Sequence, residues 1–389
     1  MTFTGKATYS AGLDLPEIAE DVSDLISIVS PYETPLLDHL GDGRRAARST
    51  VHEWLEDALL PAEDTIDQAT FNPGPTTEGS ITVENAQRFR VGDQITVVGS
   101  SEVMLVLAVA PPVIVVERGY GGTTPEPLAN NQTLTIIGNA ALEGDVRPPV
   151  RFTTRSRMQN YTQIFTSAVE VSGSQLATTQ IAAGDELEYQ KQARLRELLR
   201  DLENSVINGV APTATPQGNQ GVRRTMRGII PAIATNRFTP DTGPIPAGDG
   251  AGDQLNEAVL NTALRTIWEQ SSAHIDTIVV NGYQTRRING FITNSRRYAP
   301  SDSSFRDAVA TYESDFGVCR VVMSRWMPPD ALLLLDSSRV SVLPLAGRSF
   351  HFKPQDSGGD SEAGQLIGEY TLEMHNENAH GLITNLAAA

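Results

Sequence analysis

The sequence predicts an α+β fold in which a β-rich excursion precedes one long helix. Short β-type runs separated by Gly, Pro and Asn turns fill residues 66 to 146, which indicates a small barrel or sandwich. A helix is expected over 184–208, because Gly184-Asp185 opens the apolar spacing and Gly209 follows it. From about residue 228 onward, helical and strand patterns alternate, as in a mixed α+β unit.

The N-terminal residues, 1 to about 48, are predicted to form an arm. Pro16 stands near the start of a short helical pattern, and Ser30-Pro31 ends it because the residue before proline avoids the α region. Residues 33–37 then lead into a second short turn that Leu40-Gly41 closes. A segment interrupted this often buries little of itself, so we expect it to lie against another surface.

Two extended stretches flank the β-rich excursion. Residues 50–57 alternate in polarity around Trp54, and residues 151–171 form the returning stretch. The chain therefore leaves on one strand, builds a compact β unit and comes back. Because a bare two-stranded ribbon is marginal in water, this ribbon needs a partner surface.

The long helix has one apolar face, which is expected to pack into a core. The other faces carry oppositely charged pairs three residues apart, such as Arg194 with Glu197. Such pairs contribute only about 0.2–0.5 kcal/mol each, so packing of the apolar face must fix the helix. The predicted core residues of this face are Leu195, Leu198, Leu199, Leu202 and Val206.

Composition limits the classes of protein that fit. The chain has 389 residues, a formal net charge of −17 and 20% charged residues, as in a folded globular protein. No apolar run approaches the roughly 20 residues of a membrane helix, and the N-terminus lacks the pattern of a secretory signal. The lone cysteine, Cys319, excludes an internal disulfide and is expected to be a buried small side chain.

The acidic balance also argues against tight nucleic-acid binding, which usually needs a basic surface. The basic residues are scattered, with their densest groups at 44–48 and 223–227, and both groups are interpreted as local contacts. We expect the first group to contact neighbouring subunits, together with three aromatic residues of the extended stretches. The complete set of predicted intersubunit contact residues is Arg44, Arg45, Arg48, Trp54, Tyr161 and Phe165.

No catalytic constellation is recognised, and the chain is predicted to be no enzyme and to use no cofactor. The glycine-rich segment 118–123 lacks the Lys-Ser/Thr end of a phosphate loop, so a tight turn is favoured. A Gly-x-Ser-x-Gly nucleophile elbow is missing from the sequence. The best candidates for metal ligands are polar residues near the end of the chain. We favour the interpretation that these residues form the polar face of a strand. These residues are Glu373, His375, Glu377 and His380.

The order of elements and several short motifs resemble the major capsid proteins of tailed phages, which have the Hong Kong 97-type capsid fold. They resemble in particular a subgroup with a β domain inserted in the extended loop. The motifs, in chain order, are PYETPLL at 31–37, TVHEW at 50–54, VGD at 91–93, EVM at 102–104, RGYGGT at 118–123, EG at 143–144, NYTQIF at 160–165, VEVSG at 169–173, LLRDLE at 198–203, SRWMP at 324–328 and GEYTLE at 368–373.

The resemblance implies a division of the chain into named parts. The N-arm would be residues 1–48, and the extended loop would be 49–166 with the inserted β domain at about 66–146. The peripheral domain would comprise 167–227 and 336–389, with its spine helix at 184–208. The axial domain would be 228–335.

The resemblance also implies the function and the partners. The subunit would assemble with itself into hexamers and pentamers of an icosahedral virion shell, built in the host cytoplasm, without a membrane. The shell would enclose double-stranded DNA without sequence-specific binding. A separate scaffolding protein, a portal and a cement or decoration protein are expected as partners. No lysine occurs from residue 7 to 190, so a covalent lysine–asparagine cross-link from the extended loop is not expected.

Three alternatives stay open on the sequence. An encapsulin-like cellular compartment keeps the same fold. A β-rich adhesin or virion fibre protein fits the β content, although the long helix and the lack of repeats argue against it. A hydrolase would need a site that the sequence does not reveal.

Overall fold

The computed structural model describes residues 33–41, 43, 45–144, 148, 150–177, 185–250, 252–295, 311–356 and 359–388. The chain forms two compact units. We call Leu55–Ser156 the barrel unit, and the described residues up to Trp54 and from Arg157 on the body. The short helix predicted before Ser30, the helix-opening Gly184 and the contact residue Arg44 lie outside the described residues.

The structure is mixed, with helices and strands interleaved along the chain. The helices are α1 Pro35–Leu40, α2 Gly173–Ala177, α3 Glu186–Asn208, α4 Ile229–Ala232, α5 Glu257–Gln270 and α6 Gly282–Ser295. The strands are β1 Val51–Glu56, β2 Glu63–Thr65, β3 Ser80–Thr82, β4 Asp93–Val97, β5 Val103–Ala110, β6 Val113–Glu117, β7 Thr133–Asn139, β8 Ser156–Tyr161, β9 Gln163–Ser172, β10 Arg237–Phe238, β11 Thr277–Val280, β12 Thr311–Ser314, β13 Gly317–Met323, β14 Leu332–Leu335, β15 Val340–Pro344, β16 His351–Gln355, β17 Ser361–Met374 and β18 Gly381–Ile383. Within the described part of the chain, no helix combines the length and hydropathy that a bilayer crossing requires.

The barrel unit is a closed six-stranded barrel. Its sheet runs in the order β2-β7-β4-β5-β6-β3. An antiparallel bridge between Ile66 and Val83 joins the two end strands. Alternate residues such as Ile95, Met104 and Ile114 point inward and are completely buried. Closure removes the long free strand edges, so this unit has a core of its own.

The ribbon consists of β1 and β8, which pair with each other. The single returning stretch predicted over 151–171 is wrong in one respect, because it divides at Thr162. Up to Tyr161 the chain pairs with β1, whereas β9 pairs with β17 from Gln163 to Ser172. The second half of the returning stretch, β9, thus finds its partner strand β17 within its own chain.

A six-stranded sheet in the order β10-β18-β14-β11-β13-β12 forms one layer of the body. Its central strands β11 and β14 are buried on both faces, as their continuous apolar sequences require. One face packs on α5 and α6, and the other faces the cluster around α3. Strand β18 pairs with β14 in this sheet, and its residues Leu382 and Ile383 are fully buried here.

A second sheet is organised around β17, which has β9 on one side and β15 and β16 on the other. Strand β17 begins at Ser361, inside a stretch rich in Gly and Asp. A Cβ on Gly364 would lie 2.0 Å from the Phe352 ring. Glycine here therefore makes room for an aromatic ring over the strand rather than marking a turn.

The long helix α3 begins at Glu186, where the Asp185 carboxylate accepts a hydrogen bond from the Glu188 amide at 3.2 Å. Gly209 follows the helix, as the sequence predicted, with φ −56, outside the left-handed region. Glycine is required at this position for lack of space, because a Cβ there would lie 2.3 Å from the Ser205 carbonyl oxygen.

Candidate functional site

The root of the ribbon is held to the body by a cluster of His52, Trp54, Glu373 and His375, which we call the His–Glu–His cluster. His52 Nε2 lies 2.8 Å from Glu373 Oε2, and His375 Nε2 lies 2.6 Å from Glu373 Oε1. The Trp54 ring lies 5.9 Å from each imidazole ring, centroid to centroid. Strand alternation places His52 and Trp54 on the same face of β1, which turns both toward β17.

The cluster keeps its carboxylate ionised. Burial opposes ionisation of Glu373, but the hydrogen bond from His52 and the charges of both histidines outweigh it and lower the pKa below its usual value. The same carboxylate therefore serves two imidazoles with its two oxygens. Among the described residues, no group of three or more His, Cys, Asp and Glu side chains is placed to hold a metal ion.

The segment that begins at Glu33 is attached to the long helix through Glu203. This carboxylate is fully buried and accepts hydrogen bonds from the Leu36 and Leu37 amides at 3.2 and 3.4 Å. Its other oxygen accepts a hydrogen bond from the Ser324 hydroxyl at 2.7 Å. These contacts bring together the motifs at 31–37, 198–203 and 324–328, so the Glu203 junction joins distant parts of the chain.

Burial dominates the electrostatics of the Glu203 junction. Desolvation raises the pKa of Glu203 above its usual value, although the three hydrogen bonds act in the opposite direction. The carboxylate sits at the start of α1, where the free amides of the first turn stabilise negative charge. Outside the junction, Arg325 Nε adds an exposed ion pair with Glu33 at 3.2 Å.

A second buried carboxylate, Glu369, ties the break between β8 and β9 to the rest of the body. It accepts a hydrogen bond from the Thr162 hydroxyl at 2.6 Å. Arg224 and Arg348 pair with its two oxygens at 2.6 and 2.8 Å. The structure thus assigns Arg224, one of the clustered arginines, to a contact within its own chain.

Within the barrel unit, the glycine-rich segment 118–123 is structural. Arg118 pairs with the buried Glu102 carboxylate through Nε and Nη2 at 2.7 and 2.8 Å. Arg118 also donates to the Pro75, Glu78 and Glu126 carbonyls. The hydrogen bonds from Arg118 and from the Glu126 and Gly119 amides lower the pKa of Glu102 despite its burial. The tight turn favoured from the sequence is present, with Gly119 at φ 64.

The predicted intersubunit contact residues have different surroundings. Arg45 and Arg48 are exposed. Trp54 and Tyr161 are 9% exposed and Phe165 is 6% exposed, so their own chain encloses these side chains. The contacts of these aromatic residues with neighbouring subunits stay a prediction. Each ring could make such a contact only through the small area that its own chain leaves exposed.

The predicted core face of α3 is buried to different depths. Leu198, Leu202 and Val206 are buried in the cluster that also contains Leu36 and Phe165. Leu195 is partly buried against this cluster, and Leu199 is half-buried.

The metal candidates near the end of the chain do not converge. Glu373 and His375 are hydrogen-bonded to each other. Glu377 instead accepts hydrogen bonds from the Ala234 and Thr235 amides. His380 is fully buried and accepts a hydrogen bond from the Asp336 amide at 3.3 Å.

Sequence reasoning missed the buried polar residues that organise the body. Glu203 and Glu369 occur inside motifs noted for their resemblance, but nothing local distinguishes them from surface carboxylates. Asn160 is a third case: its side-chain amide donates to the Leu372 and Arg227 carbonyls at 2.8 and 2.9 Å. Buried polar groups need hydrogen-bond partners, and here the partners come from distant parts of the chain that the local sequence does not reveal.

Comparison with known proteins agrees with this architecture. The family model described as SU10 major capsid protein matches residues 2–387. The major capsid protein of Escherichia phage Phieco32 is 22% identical over 296 residues, which cover 65% of this chain and 81% of that protein. The capsid of the native GTA particle, computed with C5 symmetry, has a TM-score of 0.54 at 11% identity and covers 99% of this chain and 100% of that chain. The capsid of the empty GTA particle gives 0.51 at 11% identity, with 98% of each chain covered.

The fold is therefore the Hong Kong 97-type capsid fold, and the predicted α+β class is confirmed. The match with the major capsid protein family defines the class as a shell-forming structural protein. The chain belongs to the SU10 major capsid protein family, and the prediction of a phage major capsid protein is confirmed.

Proposed function

We propose that the chain builds its shell as hexamers and pentamers, in which the ribbon and the N-terminal arm contact neighbouring subunits. The main support for this proposal comes from the strands of the ribbon. In the described part of the chain β1 and β8 form a two-stranded sheet, so both are edge strands. Such edges favour pairing with another chain.

Exposed apolar side chains support the same proposal. Leu59 and Phe152, which lie on the segments next to the ribbon, are 92% and 82% exposed. Exposed apolar side chains that form a contiguous patch mark interaction surfaces, and we propose that these two belong to one. A contact from one subunit to a different surface of the next is heterologous, and such contacts close into rings.

The named parts of the subunit are proposed with the assembly. Residues 1–48 would be the N-arm, 49–166 the extended loop, 167–227 with 336–389 the peripheral domain, and 228–335 the axial domain. The barrel unit Leu55–Ser156 supports the extended-loop assignment, because it is compact in its own right.

The shell would enclose double-stranded DNA without binding its sequence. A formal net charge of −17 disfavours tight phosphate binding. Arg224 is engaged by Glu369, and Arg223 and Arg227 remain exposed for local contacts. Enclosure requires only a closed surface, so this weak affinity is compatible with packaging.

We expect separate partners to guide and complete the shell in the host cytoplasm. A scaffolding protein and a portal are proposed from the capsid family, and a cement protein because no lysine from residue 7 to 190 is present for a covalent cross-link. The protein is proposed to be structural and not an enzyme, in line with the capsid family. An encapsulin-like compartment is the second candidate, since it shares the fold, but the family match favours a virus.

Negative-stain electron microscopy of the expressed chain tests the proposal, alone and together with its neighbouring genes. Closed particles or five- and six-membered rings are expected when the scaffolding gene is present. Uniform closed shells from the chain alone would contradict the scaffold requirement. A stable monomer at high concentration in both preparations would contradict self-assembly altogether.

A further inference from the structure

The second group of clustered arginines lies on a segment whose two sides differ in burial. Residues 223–228 belong to no helix or strand, but burial alternates along them as it does in an extended chain. Arg224 is engaged in an ion pair and Met226 is fully buried, so both face inward. Arg223 and Arg227 are exposed. Their two guanidinium groups therefore share the outer side of the segment.

The backbone of this segment is held in place by hydrogen bonds within the body. The Asn160 side chain accepts a hydrogen bond from the Arg227 amide and donates one to the Arg227 carbonyl, each at 2.9 Å. The Met226 amide donates to Gln163 Oε1 at 3.1 Å. Because these contacts fix the segment before any binding event, less conformational entropy is lost when its outer side binds a partner.

An exposed apolar side chain accompanies the two arginines. The Thr225 hydroxyl donates a hydrogen bond to the Val210 carbonyl at 2.7 Å, which places Val210 beside the middle of the segment. Val210 is 69% exposed. We call Val210, Arg223 and Arg227 the arginine row.

The charges of the arginine row have no counterpart within the subunit. In the part of the chain that the structure describes, neither Arg223 nor Arg227 forms an ion pair, whereas Arg224 is paired with Glu369. The planar guanidinium fork suits two-point contacts with carboxylates. The arginine row therefore fits a partner surface that carries carboxylates.

We propose that the arginine row binds a carboxylate-bearing surface of a second copy of this chain. This contact rests on the proposed assembly and adds a specific surface to it, outside the ribbon and the N-terminal arm. Charge complementarity supports a second copy as the partner, because the chain has 47 acidic and 30 basic residues and so offers carboxylates in excess. Opposite charges across an interface guide two subunits into register and disfavour wrong arrangements.

The composition of the arginine row favours a protein partner over DNA. A phosphate backbone offers no apolar surface to Val210, whereas an apolar side chain beside arginines is typical of protein interfaces, in which arginine is enriched and lysine is depleted. Only three of the 30 basic residues of the chain are lysines. A subunit with a net charge of −17 also repels a polyanion.

Zero-length cross-linking of assembled particles tests this contact. The particles are made by co-expression with the neighbouring genes, from full-length chains that carry Arg223→Lys or Arg227→Lys. Each change keeps the positive charge and adds an amine to a chain with only three lysines. A carbodiimide joins an amine to a carboxylate only where the two are in contact. We expect several times more covalent dimer on denaturing gels than from wild-type particles, with the new amine joined to an Asp or Glu in mass spectra.

Arg194→Lys is the matched control for the cross-linking. Arg194 pairs with Glu197 of the same helix at 2.6 Å, so the new link should stay within one chain and add no dimer.

The recovery of closed particles is a second measurement, made on Arg223→Glu combined with Arg227→Glu. It should fall at least about tenfold, because like charges then face each other across the interface. Arg194→Glu combined with Arg200→Glu makes the same change in net charge on the surface of α3. This control breaks only exposed pairs within the chain and should leave the recovery within about twofold.

The outcomes separate this contact from the proposed assembly. A wild type that forms no particles would contradict the assembly and the contact together. Wild-type particles would overturn the contact alone if neither Arg→Lys change adds dimer, or if the double Arg→Glu variant is recovered as well as its control. Normal recovery of that double variant with less enclosed DNA would overturn it in favour of a phosphate contact.

Discussion

Removal of the Arg118 guanidinium is the most informative single change in the barrel unit. Arg118 neutralises Glu102, which is 1% exposed, and it also donates to the Pro75, Glu78 and Glu126 carbonyls. Arg118→Ala leaves the Glu102 carboxylate buried without its counter-charge. The Gly119 and Glu126 amides, at 3.0 and 2.9 Å, would be its remaining hydrogen-bond donors.

The expected cost follows from this geometry. Breaking a buried ion pair by removing one partner destabilises a protein by about 3–5 kcal/mol, because the remaining charge is uncompensated. In a Glu102→Gln background the same Arg118→Ala change should cost less, about 1–3 kcal/mol, since only neutral groups lose partners. The double-mutant cycle therefore isolates the part of the cost that is due to charge.

Hydrogen exchange provides the assay, because it reports local opening free energies of strands β4, β5 and β6 inside the full-length chain. Arg155→Ala is the matched control, since Arg155 makes an exposed ion pair with Asp57 at 3.8 Å and should change these energies by less than about 1 kcal/mol. If Arg118→Ala lowers the opening free energy of these strands by less than 1 kcal/mol, the reasoning about the buried pair is refuted.

Three further changes have defined outcomes. Glu203→Ala should increase hydrogen exchange in Pro35–Leu40, because two amides of that helix lose their acceptor at a cost of about 1–3 kcal/mol. Burial lowers the pKa of His380 from 6.5 to about 4, so the free energy of unfolding should fall by about 3 kcal/mol as pH decreases across that interval, and His380→Asn should remove this fall in urea titrations. Gly364→Val should lower the thermal midpoint, because its side chain would collide with the Phe352 ring.

Each of these changes has its own control. Glu197→Ala removes an exposed ion pair of the same helix with Arg194 and should leave exchange in Pro35–Leu40 unchanged. For His380 the direction of the change in unfolding free energy is fixed, because between pH 4 and 6.5 the unfolded chain binds a proton that the folded chain does not bind. A free energy of unfolding that does not rise between pH 4 and 6.5 contradicts the assignment. A Cβ at Gly290 would meet no atom within 4 Å, so Gly290→Ala should be neutral or stabilising. An equal decrease in the thermal midpoint for Gly364→Val and Gly290→Ala would contradict the steric argument.

Elements with strong local patterns were predictable from the sequence. The long helix occupies Glu186–Asn208, where apolar spacing and an acidic N-cap indicated one. Strands β4, β5 and β6 lie where short β-type runs are separated by turn residues in the sequence. The resemblance to the capsid fold followed from the order of these elements along the chain. That order is characteristic even though each motif is weak.

Features that depend on distant contacts were not predictable. The break at Thr162 exists because its hydroxyl is held by Glu369, more than 200 positions away. The first half of β17 lacks a strand pattern, since Gly364 and Gly368 are required by rings of Phe352 and Phe350 rather than by a turn. The buried junction at Glu203 likewise combines residues that only the folded chain brings together.

Cryo-electron microscopy of particles made by co-expression with the neighbouring genes tests the central claim most directly. The account predicts a closed icosahedral shell of hexamers and pentamers, in which the outer edges of β1 or β8 and the exposed side chains Leu59 and Phe152 contact adjacent copies. Particles in which every ribbon edge and both of these side chains face solvent would contradict the proposed assembly contacts. A chain that stays monomeric under these conditions would contradict the shell function itself.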